Sequence, residues 1–261
     1  MPRPGALAVD GLGESDGPAA RPFFLASPEA LHPALWRANQ LGSACTAVTP
    51  SGFEALDAAL PGGGWPHRVL TELLLPHPGL GEMRLLAPAL AALAARPGDA
   101  SPARHSVMLF EPPGALCGWA LGQIGIDVGH WLVVRGRDVL WALEQALKSG
   151  HLGAALAWLP AGLKSDALRR LQLAAQVHDG PVFVFRESSA RSKPSVAPLR
   201  LLLAPAGIDA LSLRLLKRRG PPLAEPLHLP LPPVLSDHLR ERAEAQSTTC
   251  VAWRPVLARR L

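Results

Sequence analysis

Apolar residues fall in two rhythms along this chain. The runs Val69–Leu75, Ser106–Phe110, Trp131–Val134, Gly153–Leu159 and Val182–Arg186 are short and nearly unbroken, as strands buried on both faces require. Between them lie stretches with helical spacing: Glu82–Ala95, Leu116–Ile124, Val139–Ser149 and Ser165–Gln176. Val139–Ser149 is the clearest helix, with Asp138 as N-cap, Leu140, Leu143 and Leu147 on one face and Gly150 as its stop. Ser165–Gln176 turns Leu168, Leu171 and Ala175 inward and Arg169, Arg170 and Gln172 outward. Pro88 and Pro97 shorten or bend the helix that begins at Glu82. Upstream, Pro50–Leu60 reads as a helix capped by Ser51, with Glu54 completing a capping box.

Strands that alternate with helices in this way predict βαβ units, hence an α/β fold with a mostly parallel sheet covered on both faces. Beyond Arg186 the pattern changes. Leu199–Ala204 and Leu211–Leu216, around Pro205-Ala206-Gly207, predict an antiparallel hairpin. A Pro- and Leu-dominated stretch and a polar, helix-compatible piece over Ser236–Gln246 follow. The expected organisation is a flexible N-terminal extension over 1–32, an ordered core over 33–220 and a Pro/Leu-rich basic tail over 221–261.

The candidate chemistry lies between Leu60 and Leu86. A strand, a glycine-bearing turn over Pro76–Gly81 and a helix form the frame of a phosphate-binding loop, in which a lysine and a hydroxyl follow the second glycine. Gly79 and Gly81 are present, and Gly81 matches that second glycine, but Glu82 and Met83 stand at the lysine and hydroxyl positions. A unit-charge contact at about 4 Å in an effective dielectric near 20 is worth roughly 4 kcal/mol, so an anion here opposes a bound phosphate by a comparable amount. ATP in the usual pose is disfavoured and no cofactor is expected. Arg84, one turn inside the helix, is either a partial substitute for the lysine or a solvated surface residue.

Charge adds a second candidate region. Residues 1–185 carry 13 Lys/Arg against 15 Asp/Glu, whereas residues 186–261 carry 13 against 6. A basic C-terminal third suits an anionic partner, DNA or an acidic protein face, and equally a solubilising tail. Its densest parts are Lys217-Arg218-Arg219 and Arg254, Arg259 and Arg260. No aromatic residues interleave with them, so stacking on single-stranded bases is unsupported. Cys45, Cys117 and Cys250 are too far apart for a paired-ligand metal site and odd in number for a disulfide framework, and the nine histidines form no ligand motif; no metal is expected. Neither a secretory signal nor a bilayer-length apolar run is visible, so a cytoplasmic protein with no membrane contact is expected.

Several segments, taken in order, resemble the ImuA family of translesion DNA synthesis proteins, distant relatives of RecA. They are Leu35-Trp36-Arg37, Thr49 through Asp57, Leu60 through Pro66, Leu70-Thr71-Glu72-Leu73, Gly79-Leu80-Gly81-Glu82, Trp141 through Leu147 and Leu168 through Ala175. Arg68 departs from the glycine that the family pattern carries after the Trp-Pro turn. The resemblance implies a RecA-like core with a degenerate P-loop. RecA-type enzymes place a magnesium-supporting aspartate at the end of a buried strand, where this chain has Trp158. Glu111 falls nearer a neighbouring acid than the position of the water-activating glutamate.

The implied function is therefore non-catalytic: an accessory protein of SOS-induced lesion bypass that joins RecA to an ImuB-like Y-family polymerase homologue and a mutagenic replicative-type polymerase. A cell-division inhibitor of the SulA type, which resembles the same degenerate core, is an alternative. A weak DNA-stimulated ATPase using Arg84 and Glu111 is another.

Overall fold

The computed structural model describes residues 47–94 and 106–241. Ten strands and five α-helices account for most of them. The strands are β1 (Val48–Thr49), β2 (Trp65–Pro66), β3 (Leu70–Leu75), β4 (Val107–Phe110), β5 (Trp131–Val134), β6 (Ala154–Trp158), β7 (Val182–Glu187), β8 (Leu199–Pro205), β9 (Ala210–Lys217) and β10 (Leu227–Pro230). The helices are α1 (Glu54–Ala59), α2 (Glu82–Ala94), α3 (Gly118–Gln123), α4 (Val139–Ser149) and α5 (Ser165–Ala175).

Eight strands form the central sheet, in the order β10-β9-β8-β3-β7-β6-β4-β5. The six from β8 to β5 are parallel, and β9 and β10 extend one edge antiparallel. This is the α/β, mostly parallel sheet flanked by helices that the strand-helix alternation predicts, and its layout is compatible with a RecA-like core. Alternation along each strand sends side chains to two separate cores. Leu73, Leu75, Leu109, Leu156, Phe183 and Phe185 pack with Leu85, Leu86 and Leu90 of α2 on one face. Leu70, Phe110, Ala155, Ala157, Val182 and Val184 pack with Leu143 and Leu147 of α4 and Leu168 and Leu171 of α5 on the other.

Several details differ from the sequence-based expectation. The helix over Pro50–Leu60 is shorter, Glu54–Ala59, and Phe53 rather than Ser51 occupies its N-cap position. Ser51 forms a local turn instead, its Oγ accepting from the Phe53 N–H at 3.1 Å, while its own N–H donates to Asp57 Oδ1 at 2.8 Å. Asp138 precedes α4 as expected but makes no side-chain cap bond. Helix α5 begins at Ser165 itself, with Lys164 at the cap position. Strand β10 was not expected: Leu227–Pro230 pairs with β9, so the sheet continues beyond Gly220 into the segment assigned to a tail. The extension expected over 1–32 and the first part of the core expected from 33, up to 46, lie outside the described residues.

Pro88 sits inside α2 without ending it, and it has a partner. Gly52, at φ +84°, lies so close that a Cβ placed on it would come within 2.4 Å of Pro88 Cβ. A positive φ and a backbone approach of this kind are open to glycine alone. Gly52→Ala is expected to destabilise the fold by about 2 kcal/mol, combining left-handed strain with overpacking. Urea unfolding checks this, and a loss below about 0.5 kcal/mol, the range of neutral surface changes, would contradict it.

Candidate functional site

The loop between β3 and α2 opens at the C-terminal edge of the parallel strands, the edge at which α/β sheets collect their ligands. Leu75 ends a strand buried at every position, and Glu82 opens the helix. Gly79 and Gly81, at φ +82° and +120°, curl the backbone so that their N–H groups converge. Such a turn at a helix N-terminus is a nest for an anion.

The anion in this nest is the protein's own. Glu82 folds back over the loop, Oε1 accepting from the Gly79 N–H at 2.7 Å and Oε2 from the Gly81 N–H at 3.1 Å. The residue is 3% exposed. A carboxylate also suits the positive end of the helix dipole. The other side of the loop is filled as well: a Cβ at Gly81 would lie 3.2 Å from Leu231 Cδ1 and 3.7 Å from Leu211 Cδ1. Met83 packs against the core on the α2 face.

Arg84 turns away from the loop. Its Nη2 donates to Asp209 Oδ1 at 2.7 Å and to the Pro232 carbonyl at 2.5 Å, and its Nη1 to the Ile208 carbonyl at 3.3 Å. It is neither the solvated residue of the sequence reading nor directed at a phosphate. Asp209, in the β8–β9 turn, is shared with Arg240, whose Nε lies 2.9 Å from Oδ2 as an ion pair without hydrogen-bond geometry. The first turn of α2 is thereby fastened to the hairpin.

Trp158 ends β6, and its ring stacks on Phe185 of β7 with centroids 4.5 Å apart and planes 23° apart. An aromatic pair thus lies where the resemblance would place a magnesium-supporting carboxylate. Glu111 follows β4 at φ +52°, and its Oε1 accepts the Gly136 N–H at 2.5 Å. It braces the turn after β5.

The Lys217-Arg218-Arg219 cluster is not presented as one patch. Lys217 donates to the Ser195 carbonyl at 3.0 Å. Arg218 donates to the Pro221 carbonyl at 2.7 Å and, through Nη1, to the Ala59 carbonyl at 2.5 Å, satisfying the last residue of α1. Arg219 is exposed. Arg254, Arg259 and Arg260 lie outside the described residues.

Two polar clusters escaped the sequence reading. Glu72 in β3 is held between Arg186 of β7 and Arg200 of β8, and all three are buried. A lone charge inside the apolar runs around Glu72 and Arg200 was the available signal, whereas Arg186 ends its run beside Glu187 and gave none. Second, His67 and His178 are buried near Asp179, and neither ring nitrogen of His178 has a hydrogen-bond partner. Burial, then the nearby His67, lowers the pKa of His178 to about 4, with Asp179 opposing.

Among the described residues no group of His, Cys, Asp or Glu side chains is arranged to hold a metal ion. No helix there is long and apolar enough to cross a membrane. Compared with models of known protein families and with curated proteins, the chain matches none.

Proposed function

We propose that this chain is a non-catalytic RecA-like accessory protein of SOS-induced translesion synthesis, an adaptor between RecA and a mutagenic polymerase complex with an ImuB-like partner. The observation that carries the non-catalytic part is the Glu82 carboxylate in the loop. The backbone donors that would hold a phosphate are engaged by a covalently attached anion, which no dilute ligand displaces cheaply. The Trp158–Phe185 stack supports the same reading, because an aromatic pair offers magnesium no oxygen. The contacts of Arg84 and Glu111 weigh against the ATPase alternative, since each is already committed to a structural partner. The adaptor role itself rests on the resemblance of the quoted segments, with exposed Lys217 and Arg219 as candidate partner or DNA contacts.

Isothermal titration with Mg-ATP is expected to give no saturable binding up to about 1 mM, a free energy near 4 kcal/mol. Submillimolar binding accompanied by hydrolysis that Arg84→Ala abolishes would favour the ATPase instead. For the adaptor role, the full chain should co-purify with RecA and the polymerase homologue from DNA-damaged cells. Damage-induced mutagenesis that persists unchanged after deletion of the gene would refute it.

A further inference from the structure

Strand β5 closes the parallel edge of the sheet, and among the described residues no strand pairs with its outer side. Leu132 is 54% exposed and Val133 52%, on opposite faces of the strand. The helix that enters β5 carries Trp119, 73% exposed, and the helix that leaves it carries Trp141, 65% exposed. Because α3 contributes to one core and α4 to the other, the two indoles lie on opposite sides of the sheet. Two exposed apolar side chains on a strand edge that no described strand pairs, with an exposed indole on the helix before it and on the helix after it, are a liability in a monomer and a normal surface for strand addition.

The backbone outlines what such an addition requires. The Val107 N–H bonds to the His130 carbonyl and the Glu111 N–H to the Val134 carbonyl, so even-numbered residues of β5 face β4. By the alternation of a parallel ladder, the Val133 N–H and C=O point outward. The ends of the strand differ in charge. Exposed Asp127 precedes it, and exposed Arg135 and Arg137 follow it. An antiparallel partner strand needs the reverse order, which a second copy turned by a two-fold axis supplies automatically.

We infer that β5 is a self-association edge, where two copies of this chain pair antiparallel about Val133 and join their sheets into one. In that register Val133 exchanges both backbone hydrogen bonds with its counterpart, Leu132 faces Val134, and the end of each strand that leads to Arg135 and Arg137 approaches the end of the other that follows Asp127. The strand ends at Val134, and Arg137 and Asp138 both lie in the turn that leads into α4.

Sedimentation equilibrium of the full chain from about 1 to 100 µM is expected to show a monomer–dimer equilibrium, and the Leu132→Lys/Val133→Lys variant should raise its dissociation constant at least about tenfold. Arg137→Asp should weaken the dimer, and adding Asp127→Arg should restore it, because the swap again brings opposite charges to the facing ends of the two strands. Circular dichroism and the melting curve verify that each variant folds. A parent that stays monomeric throughout, or edge variants that dimerise like the parent, overturns the inference. Failure of the charge swap to rescue overturns the antiparallel orientation.

Discussion

Glu72→Ala is expected to leave the protein unfolded or nearly so at room temperature. The Glu72 and Arg186 side chains are 1% exposed and that of Arg200 is 9% exposed. Arg186 Nη1 meets Glu72 Oε1, and Arg200 Nε meets Oε2. Each guanidinium has one further anchor: Arg186 Nη2 donates to the Ala161 carbonyl at 2.7 Å and Arg200 Nη2 to the Ala190 carbonyl at 3.0 Å. The triad therefore links three adjacent strands to the loop after β6 and to the turn after β7. Removing one partner from a buried ion pair costs about 3–5 kcal/mol, because the remaining charge stays desolvated without compensation. Here two arginines would be stranded, against a total stability of about 5–15 kcal/mol for an ordinary domain.

A triple replacement separates the worth of the triad from the cost of breaking it. Exchanging Glu72, Arg186 and Arg200 together for Met or Leu should recover most of the loss, since well-packed apolar groups often substitute for a buried ionic cluster at no net cost. Urea unfolding of parent, single and triple variants is the measurement. A single variant within about 1 kcal/mol of the parent would show that water or rearrangement satisfies the arginines. A triple variant as unstable as the single one would show that the residual carbonyl anchors matter more than the charges.

The mostly parallel character of the sheet was legible because it follows from strands alternating with helices and from the unbroken apolar runs that burial on both faces requires, whereas the order of the strands was not. Helix α4 spans Val139–Ser149 as predicted, and its C-cap Gly150 sits at φ +68°, where a side chain would be strained. Strand β10 was hidden because Leu227–Pro230 is set among prolines, and an edge strand tolerates proline where a central one does not. Strands β1 and β2 have two residues each, too few to show a period. At the site, the absence of the lysine was readable from Glu82 alone. That its carboxylate occupies the nest was not, because the conclusion depends on how Gly79 and Gly81 curl. The partner of Arg84 lies 125 residues away, and no local pattern connects it to Asp209.

The second large effect is expected in mild acid, and it arises from His178. The ring is fully buried and lacks hydrogen-bond partners, and its pKa in the folded protein falls from 6.5 to about 4. Burial is the main cause, because the charged ring loses its water, and repulsion from His67 adds to it. In the unfolded chain the ring takes up its proton near pH 6.5. Between these values the unfolded state binds more protons than the folded state, so stability falls as the pH is lowered. The contribution is complete above about pH 7, declines from about 6.5 to 4 and then levels off, for a total of about 3 kcal/mol by linkage. Carboxylates titrate in the same range, so the informative quantity is a difference. Urea unfolding of the parent and of His178→Leu between pH 7.5 and 4.5 should show a markedly smaller decline in the variant. Equal declines would mean that the acid sensitivity resides elsewhere, and that the His67–His178 pair admits a proton or water without opening the fold.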